Sequence, residues 1–204
     1  RTTLEFEPGT RWEYSAQAGH DTLGRIVEIA SGMPLDQFFQ KRIFDPLGMK
    51  DISFWPSDAN WARVPSVYNL TNGKLVKNNN PNSMSSKVYF MGSGGLISAP
   101  GDYLPFGLML ANGGSWNGKQ ILPQGWTDEL VKPCPVAPFY GLMWWLNTDR
   151  RQFAAASERS YFALGWGSHI VWVDPDNDLV TVLRWIDRKQ APGFVERLLK
   201  AIAK

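Results

Sequence analysis

Phe6-Glu7-Pro8-Gly9-Thr10-Arg11-Trp12-Glu13-Tyr14-Ser15-Ala16-Gln17-Ala18-Gly19-His20-Asp21-Thr22-Leu23-Gly24-Arg25-Ile26-Val27-Glu28-Ile29-Ala30-Ser31-Gly32 is the stretch whose reading decides the fold. Pro8-Gly9 has turn chemistry, because proline presets φ and glycine accepts positive φ at little cost. Tyr14 and Ser15 follow in a short polar loop. Leu23, Ile26, Val27 and Ala30 then recur at helical spacing, which predicts an amphipathic helix with one apolar stripe against a core. Gly32 supplies its C-terminal stop. The stretch therefore reads as a polar loop mounted rigidly on a buried helix.

The chain around it has 204 residues, 44% hydrophobic and 20% charged, which suits one globular unit with a substantial core. Its formal charge is +2, from 21 basic and 19 acidic residues, and no Lys/Arg run exceeds two, so no nucleic-acid footprint is visible. Small neutral substrates fit better than polyanions. Cys134 is the only cysteine and His20 and His169 the only histidines, so no metal-ligand cluster and no internal disulfide are expected. No apolar run approaches the length of a bilayer span, and the first five residues are not a signal peptide.

Past Gly32, Met33-Pro34-Leu35-Asp36 opens a second helix, with Leu35, Phe38, Phe39, Ile43 and Phe44 at near-helical spacing and Asp45-Pro46 expected to stop it. Phe54, Trp55 and Trp61 anchor an irregular stretch by aromatic packing. Residues 64–68 and 75–76 predict a small hairpin turning at Asn72-Gly73, and residues 78–83 an exposed loop. A helix is expected from between Pro100 and Tyr103 to Asn112-Gly113-Gly114, with Pro105 tolerated in its first turn. A tight turn at 116–122 and a short helix at 123–131 follow. Strands are expected at 140–146, 162–169, 170–174 and 178–186, with residues 174–178 forming a hairpin turn. A closing helix carries Phe194, Val195, Leu198, Leu199 and Ile202 on one face. Residues 1–135 thus read as mainly helical, and 136–204 as sheet plus helix, within one domain.

Pro8-Gly9 with Tyr14-Ser15, then Leu23-Gly24-Arg25-Ile26-Val27-Glu28 and Ser31-Gly32, and later Phe44-Asp45-Pro46-Leu47-Gly48-Met49, resemble the serine β-lactamase and penicillin-binding-protein-like superfamily, and within it the carboxylesterase type. Gly94-Gly95-Leu96-Ile97-Ser98 is similar to the Gly-Gly-Leu-x-Ser segment that precedes a long helix there. The resemblance implies an α+β, β-lactamase/transpeptidase-like fold: an antiparallel sheet flanked by helices, with a helical subdomain and with its first strands outside these residues. It implies that Tyr14 moves protons around a nucleophilic serine, with Ser15 beside the substrate; Ala16 stands where relatives carry asparagine. A tyrosine ordinarily ionises near about pH 10, so such a role near neutrality requires an adjacent cation.

The family's third motif is expected on a core strand, at Trp166-Gly167-Ser168 or, in a second alignment, Leu164-Gly165-Trp166. Gly165, Trp166, Gly167 and Ser168 are therefore candidate substrate-binding residues, since small residues let a carbonyl approach the backbone and its amides. His169 is expected to be structural. No Ser-x-x-Lys occurs in the 204 residues. In relatives that element lies upstream of the tyrosine, so the chain is expected to begin inside a longer protein and to be inactive alone. The implied substrate is a small ester, amide or lactam, with no cofactor, no metal and no nucleic acid. Relatives are often exported or periplasmic. Residues 178–186 are expected to present an open strand edge that pairs with the absent segment or self-associates. Two other readings stay open: a non-catalytic binding protein of the same fold, and a carbohydrate-binding module using some of the ten tryptophans.

Overall fold

The computed structural model describes residues 3–78 and 86–203, so most of the expected loop at 78–83 lies outside the described residues. The chain forms two compact units, Tyr14–Asp102, and Arg1–Glu13 together with Tyr103–Lys204.

In the Tyr14–Asp102 unit, α1 (Ala18–Ser31) ends at Gly32, whose φ of 67° closes a left-handed cap. Of the stripe expected to be buried only Val27 turns inward: Leu23 and Ile26 are 47% and 54% exposed, and Ala30 is exposed too. The inward face is instead His20, Asp21, Gly24, Val27, Glu28 and Ser31. Hydrogen bonds hold this face, with Asp21 Oδ1 accepting from the Ser93 amide at 3.0 Å and Glu28 Oε1 from the Leu35 amide at 3.1 Å. A Cβ on Gly24 would come within 3.1 Å of Leu35 and 3.4 Å of the Gly92 backbone, so the helix docks by close backbone approach.

The second helix runs on through its expected stop. α2 (Leu35–Phe39) widens into a π turn at Gln40–Phe44 and continues as α3 (Asp45–Leu47) to Gly48. Pro46 falls in the first turn of α3, where a missing N–H costs little. Phe39, Phe44, Phe54 and Phe90 make ring contacts with centroids 5.2–6.0 Å apart. After α4 (Asp58–Trp61), capped by Ser57, the hairpin forms as expected, with strands β1 (Tyr68–Thr71) and β2 (Lys74–Lys77). Asn72 and Gly73 both take positive φ, as a two-residue turn matching the strand twist requires. Its first strand starts at Tyr68 rather than Val64.

α5 (Pro100–Ala111) ends at Asn112-Gly113 as expected, but Pro105 lies inside it and removes one helical bond. The other unit continues with a β3 (Ser115–Trp116) and β4 (Lys119–Gln120) hairpin and α6 (Trp126–Leu130). The strand expected at 140–146 shrinks to β5 (Trp145–Leu146). Met143 takes φ 65°, and the Gly141 and Leu142 amides bond to the Trp144 and Leu130 carbonyls, so this segment turns back instead of extending.

β6 (Tyr161–Gly165), β7 (His169–Asp174) and β8 (Leu179–Leu183) complete an antiparallel sheet in the order β5-β6-β7-β8. Strand alternation sorts its faces. Phe162, Ile170 and Trp172 pack with Ala191 and Val195 of α7 (Ala191–Ile202). On the opposite face a Cβ on Gly107 of α5 would lie 2.5 Å from Val180 and 3.7 Å from Val171. The fully buried Asn147 knots the loop after β5, donating to the Phe153 and Ser157 carbonyls and accepting from the Gln152 and Phe153 amides. β8 ends the sheet, half-buried along its length, and pairs with β7 alone among the described strands.

Candidate active site

The loop before α1 is built around Ser15. Its Oγ accepts from the Gly19 amide at 2.8 Å, and its carbonyl accepts from His20 Nδ1, also at 2.8 Å. These two bonds fold the loop onto the helix start and bring the Tyr14 ring edge-on to His20, with centroids 5.9 Å apart. Tyr14 is 42% exposed, so its phenol is presented at the surface of this unit. Ser15, expected beside a substrate, has its hydroxyl oxygen engaged by the Gly19 amide. Sequence reasoning missed His20, although a histidine in the first helical turn after a polar loop is placed to reach back to that loop.

The residues expected on a core strand at 165–168 are mostly not in one. β6 ends at Gly165, which pairs with His169, and Trp166, Gly167 and Ser168 form the turn between the strands. Gly167 and Ser168 have φ of 78° and 56°. Positive φ bends the chain too sharply for strand pairing to continue, so of the candidate residues Gly165, Trp166, Gly167 and Ser168 only Gly165 lies in the strand, and in the second alignment Leu164 does as well.

Two residues after β8 complete this corner. Trp185, itself at φ 56°, folds its ring over Gly167, where an added Cβ would lie 2.6 Å from the ring. The same ring meets His169 at 4.6 Å and Trp166 at 5.9 Å, both edge-to-face. Arg184 Nε donates to His169 Nδ1 at 3.0 Å, which leaves the proton of a neutral imidazole on Nε2. Burial, and then the Arg184 charge, push the His169 pKa down to about 4. Left-handed φ at Ser168 and Trp185 is costly, at about 1 kcal/mol or more each, and such strain gathers where geometry serves function. Arg184 and Trp185 were missed because only strand register reveals them: Ile170 faces Leu183, so the next residues out, His169 and Arg184, are neighbours.

His169 makes folding acid-sensitive in a definite window. Above pH 6.5 both folded and unfolded chains hold it neutral and its contribution is fully present; between 6.5 and about 4 the unfolded chain takes up a proton that the folded chain refuses. Stability is thus expected to fall with pH through that window, by on the order of 1 kcal/mol after solvent screening. His169→Gln should remove this component. Urea midpoints at pH 7 and pH 5 check it, and an equal acid shift in both proteins would contradict the assignment.

Trp166 is 72% exposed, but its ring stands 84° from that of Trp185, and Trp55 and Trp61 cross at 70°. Neither pair is the coplanar platform that the carbohydrate-binding reading needs. A cavity of about 360 Å³ lies elsewhere, near the start of β6, lined by Leu110, Thr127, Val131, Leu146 and Tyr161 among others. Of its lining residues, Arg159 is ion-paired to Asp176 and Thr148 donates to the Pro138 carbonyl. Among the described residues no group of three or more His, Cys, Asp or Glu could hold a metal ion. No described helix is long and apolar enough to cross a membrane.

Comparison with known proteins fits this architecture. A Salmonella schwarzengrund protein provisionally named D-alanyl-D-alanine carboxypeptidase is 26% identical over 203 residues, covering 90% of this chain and 47% of that protein. Among solved structures, unliganded simvastatin synthase from Aspergillus terreus superposes with a TM-score of 0.78 at 20% identity, over 97% of this chain and 57% of its own. EstCE1, described as a hydrolase with promiscuous acyltransferase activity, superposes with a TM-score of 0.75 at 18% identity, over 97% and 58%. The chain therefore spans about half the length of the proteins it matches. The Beta-lactamase family profile matches residues 1–201, and the chain, with its helices and antiparallel sheet, belongs to that family.

Proposed function

We propose that these residues are the tyrosine- and sheet-bearing part of a serine hydrolase acting on small esters or related acyl substrates through an acyl-enzyme. The nucleophilic serine and its lysine would come from polypeptide outside the 204 residues. Tyr14 would relay the proton between serine and leaving group, and Gly165 with the 166–168 turn would present backbone to the acyl carbonyl. The observation that carries this reading is the glycine-rich, left-handed hairpin tip at the end of the sheet, in a chain of this family whose tyrosine motif sits in an exposed loop. The acyltransferase activity ascribed to EstCE1 supports acyl transfer, and the carboxypeptidase-named relatives bring peptide amides into the same chemistry.

A non-catalytic binding role is the second reading, favoured by the engaged Ser15 hydroxyl and by the lack of Ser-x-x-Lys within these residues. Tyr14→Phe separates the two when made in a polypeptide extended to include the Ser-x-x-Lys element. A proton-relay tyrosine predicts a fall in kcat on a 4-nitrophenyl ester of about 10²–10⁴ with KM little changed. An unchanged kcat would remove Tyr14 from the chemistry, and binding without turnover by the extended polypeptide itself would favour the second reading.

A further inference from the structure

The β1–β2 hairpin buries neither of its faces. All eight strand residues are exposed, and a two-stranded hairpin with nothing packed on it is marginal in water. Its sequence is not that of a solvated ribbon. Leu70 faces Leu75 directly across the strands, each 72% exposed, and Tyr68 lies two residues along the same face, opposite Lys77. The other face carries Asn69, Thr71, Lys74 and Val76. One side is thus a leucine pair bordered by a tyrosine and a lysine.

Charge identifies what this face suits. From residue 64 to residue 101 the sequence contains Lys74, Lys77 and Lys87 and no aspartate or glutamate, whereas the chain as a whole is nearly balanced. None of the described ion pairs involves Lys74 or Lys77. Leucines give an apolar face a few ångströms of depth, while a tyrosine and long lysines bridge from hydrocarbon to charged headgroups. A polypeptide partner would bring its own mix of charges; a continuous sheet of negative headgroups over apolar chains matches an acid-free, leucine-faced ribbon on both counts. We propose that the β1–β2 hairpin is an interfacial anchor that lays its Tyr68–Leu70–Leu75 face on an anionic lipid surface, with Lys77 of that face at headgroup level and Lys74, on the other face beside the turn, within range of the surface charge. It rests on the hairpin alone and is independent of the hydrolase reading.

Co-sedimentation of the chain with vesicles of phosphatidylglycerol, and of phosphatidylcholine alone, tests it at low and at 0.5 M salt. Binding is expected only to the anionic vesicles and should weaken in salt. Leu70→Ser with Leu75→Ser should abolish it while far-UV and near-UV circular dichroism stay those of the parent. Lys74→Gln with Lys77→Gln should lower the partition coefficient on the order of 20-fold, from about 1 kcal/mol per lysine near such a surface. Absence of binding to phosphatidylglycerol, or binding undiminished by the serine pair, would overturn the proposal. So would a dimer in analytical ultracentrifugation that the serine pair dissociates and vesicles do not compete with, since the face would then belong to a second copy of this chain.

Discussion

Alanine at position 92 is expected to destabilise the Tyr14–Asp102 unit by about 3 kcal/mol, a large share of what holds a unit of this size together. A Cβ on Gly92 would sit 2.2 Å from the His20 carbonyl oxygen and 2.9 Å from its carbon. Both are backbone atoms in the first turn of α1, so no side-chain rotation relieves the clash. Either the segment around Gly92 or the start of α1 must move. The first movement breaks the bond from the Ser93 amide to Asp21, and the second displaces His20 from Tyr14 and from the Ser15 carbonyl. Gly101→Ala is the matched control, because a Cβ there meets nothing within 4 Å. Its helical position should make that change neutral or slightly stabilising. Urea unfolding followed by hydrogen exchange in residues 14–102 checks both variants. A Gly92→Ala midpoint equal to that of the parent would show that this segment does not pack on α1, and the placement of the Tyr14 loop would go with it.

The same contact shows what the sequence could and could not reveal. Gly32, Asn72-Gly73 and the 174–178 turn were readable because each is a local backbone requirement, met by the residue that tolerates positive φ. The strands at 170–174 and 178–186 were readable from composition and turn residues, whereas the one expected at 140–146 survives only as Trp145–Leu146. α1 was readable as a helix but not in its orientation: its apolar stripe suggested one inward face, while hydrogen bonds accepted by Asp21 and Glu28 and the small Gly24 set another. Hydrophobic periodicity cannot see a face held by polar bonds across 72 residues of chain. The 165–168 segment failed for a related reason. Leu164 to His169 has strand-like composition, and what ends the strand at Gly165 is positive φ at Gly167 and Ser168 under a tryptophan ring from the far side of β8. Tyr14 was singled out by its motif, while the contacts of Arg184 and Trp185 with His169 required coordinates.

Labelling by a fluorophosphonate should show the largest contrast of all. A serine becomes nucleophilic when a neighbouring base takes its proton, and three of the described serines are otherwise occupied. Ser15 Oγ accepts from Gly19, Ser160 Oγ accepts from Trp172 Nε1, and Ser157 Oγ donates to Asp174. Burial would raise the Asp174 carboxyl, but hydrogen bonds from Ser157 and Asn177 outweigh it and hold the group below its usual range, making it a poor base. Under the proposed function, joining a polypeptide that bears Ser-x-x-Lys would supply both nucleophile and base. It would also offer a neighbour for β8, whose outer edge pairs with no described strand. Labelling should then accelerate by on the order of 10³-fold or more, the scale of an activated nucleophile with an oxyanion site.

The direct measurement is intact-mass spectrometry, with peptide mapping, after incubating the 204-residue chain and the extended polypeptide with the same fluorophosphonate. No stoichiometric adduct is expected on the short chain, and a single adduct is expected on the serine of Ser-x-x-Lys in the extended one, lost when that serine is replaced by alanine. A stoichiometric adduct on Ser15, or on any other serine of these 204 residues, would contradict a nucleophile supplied from outside them.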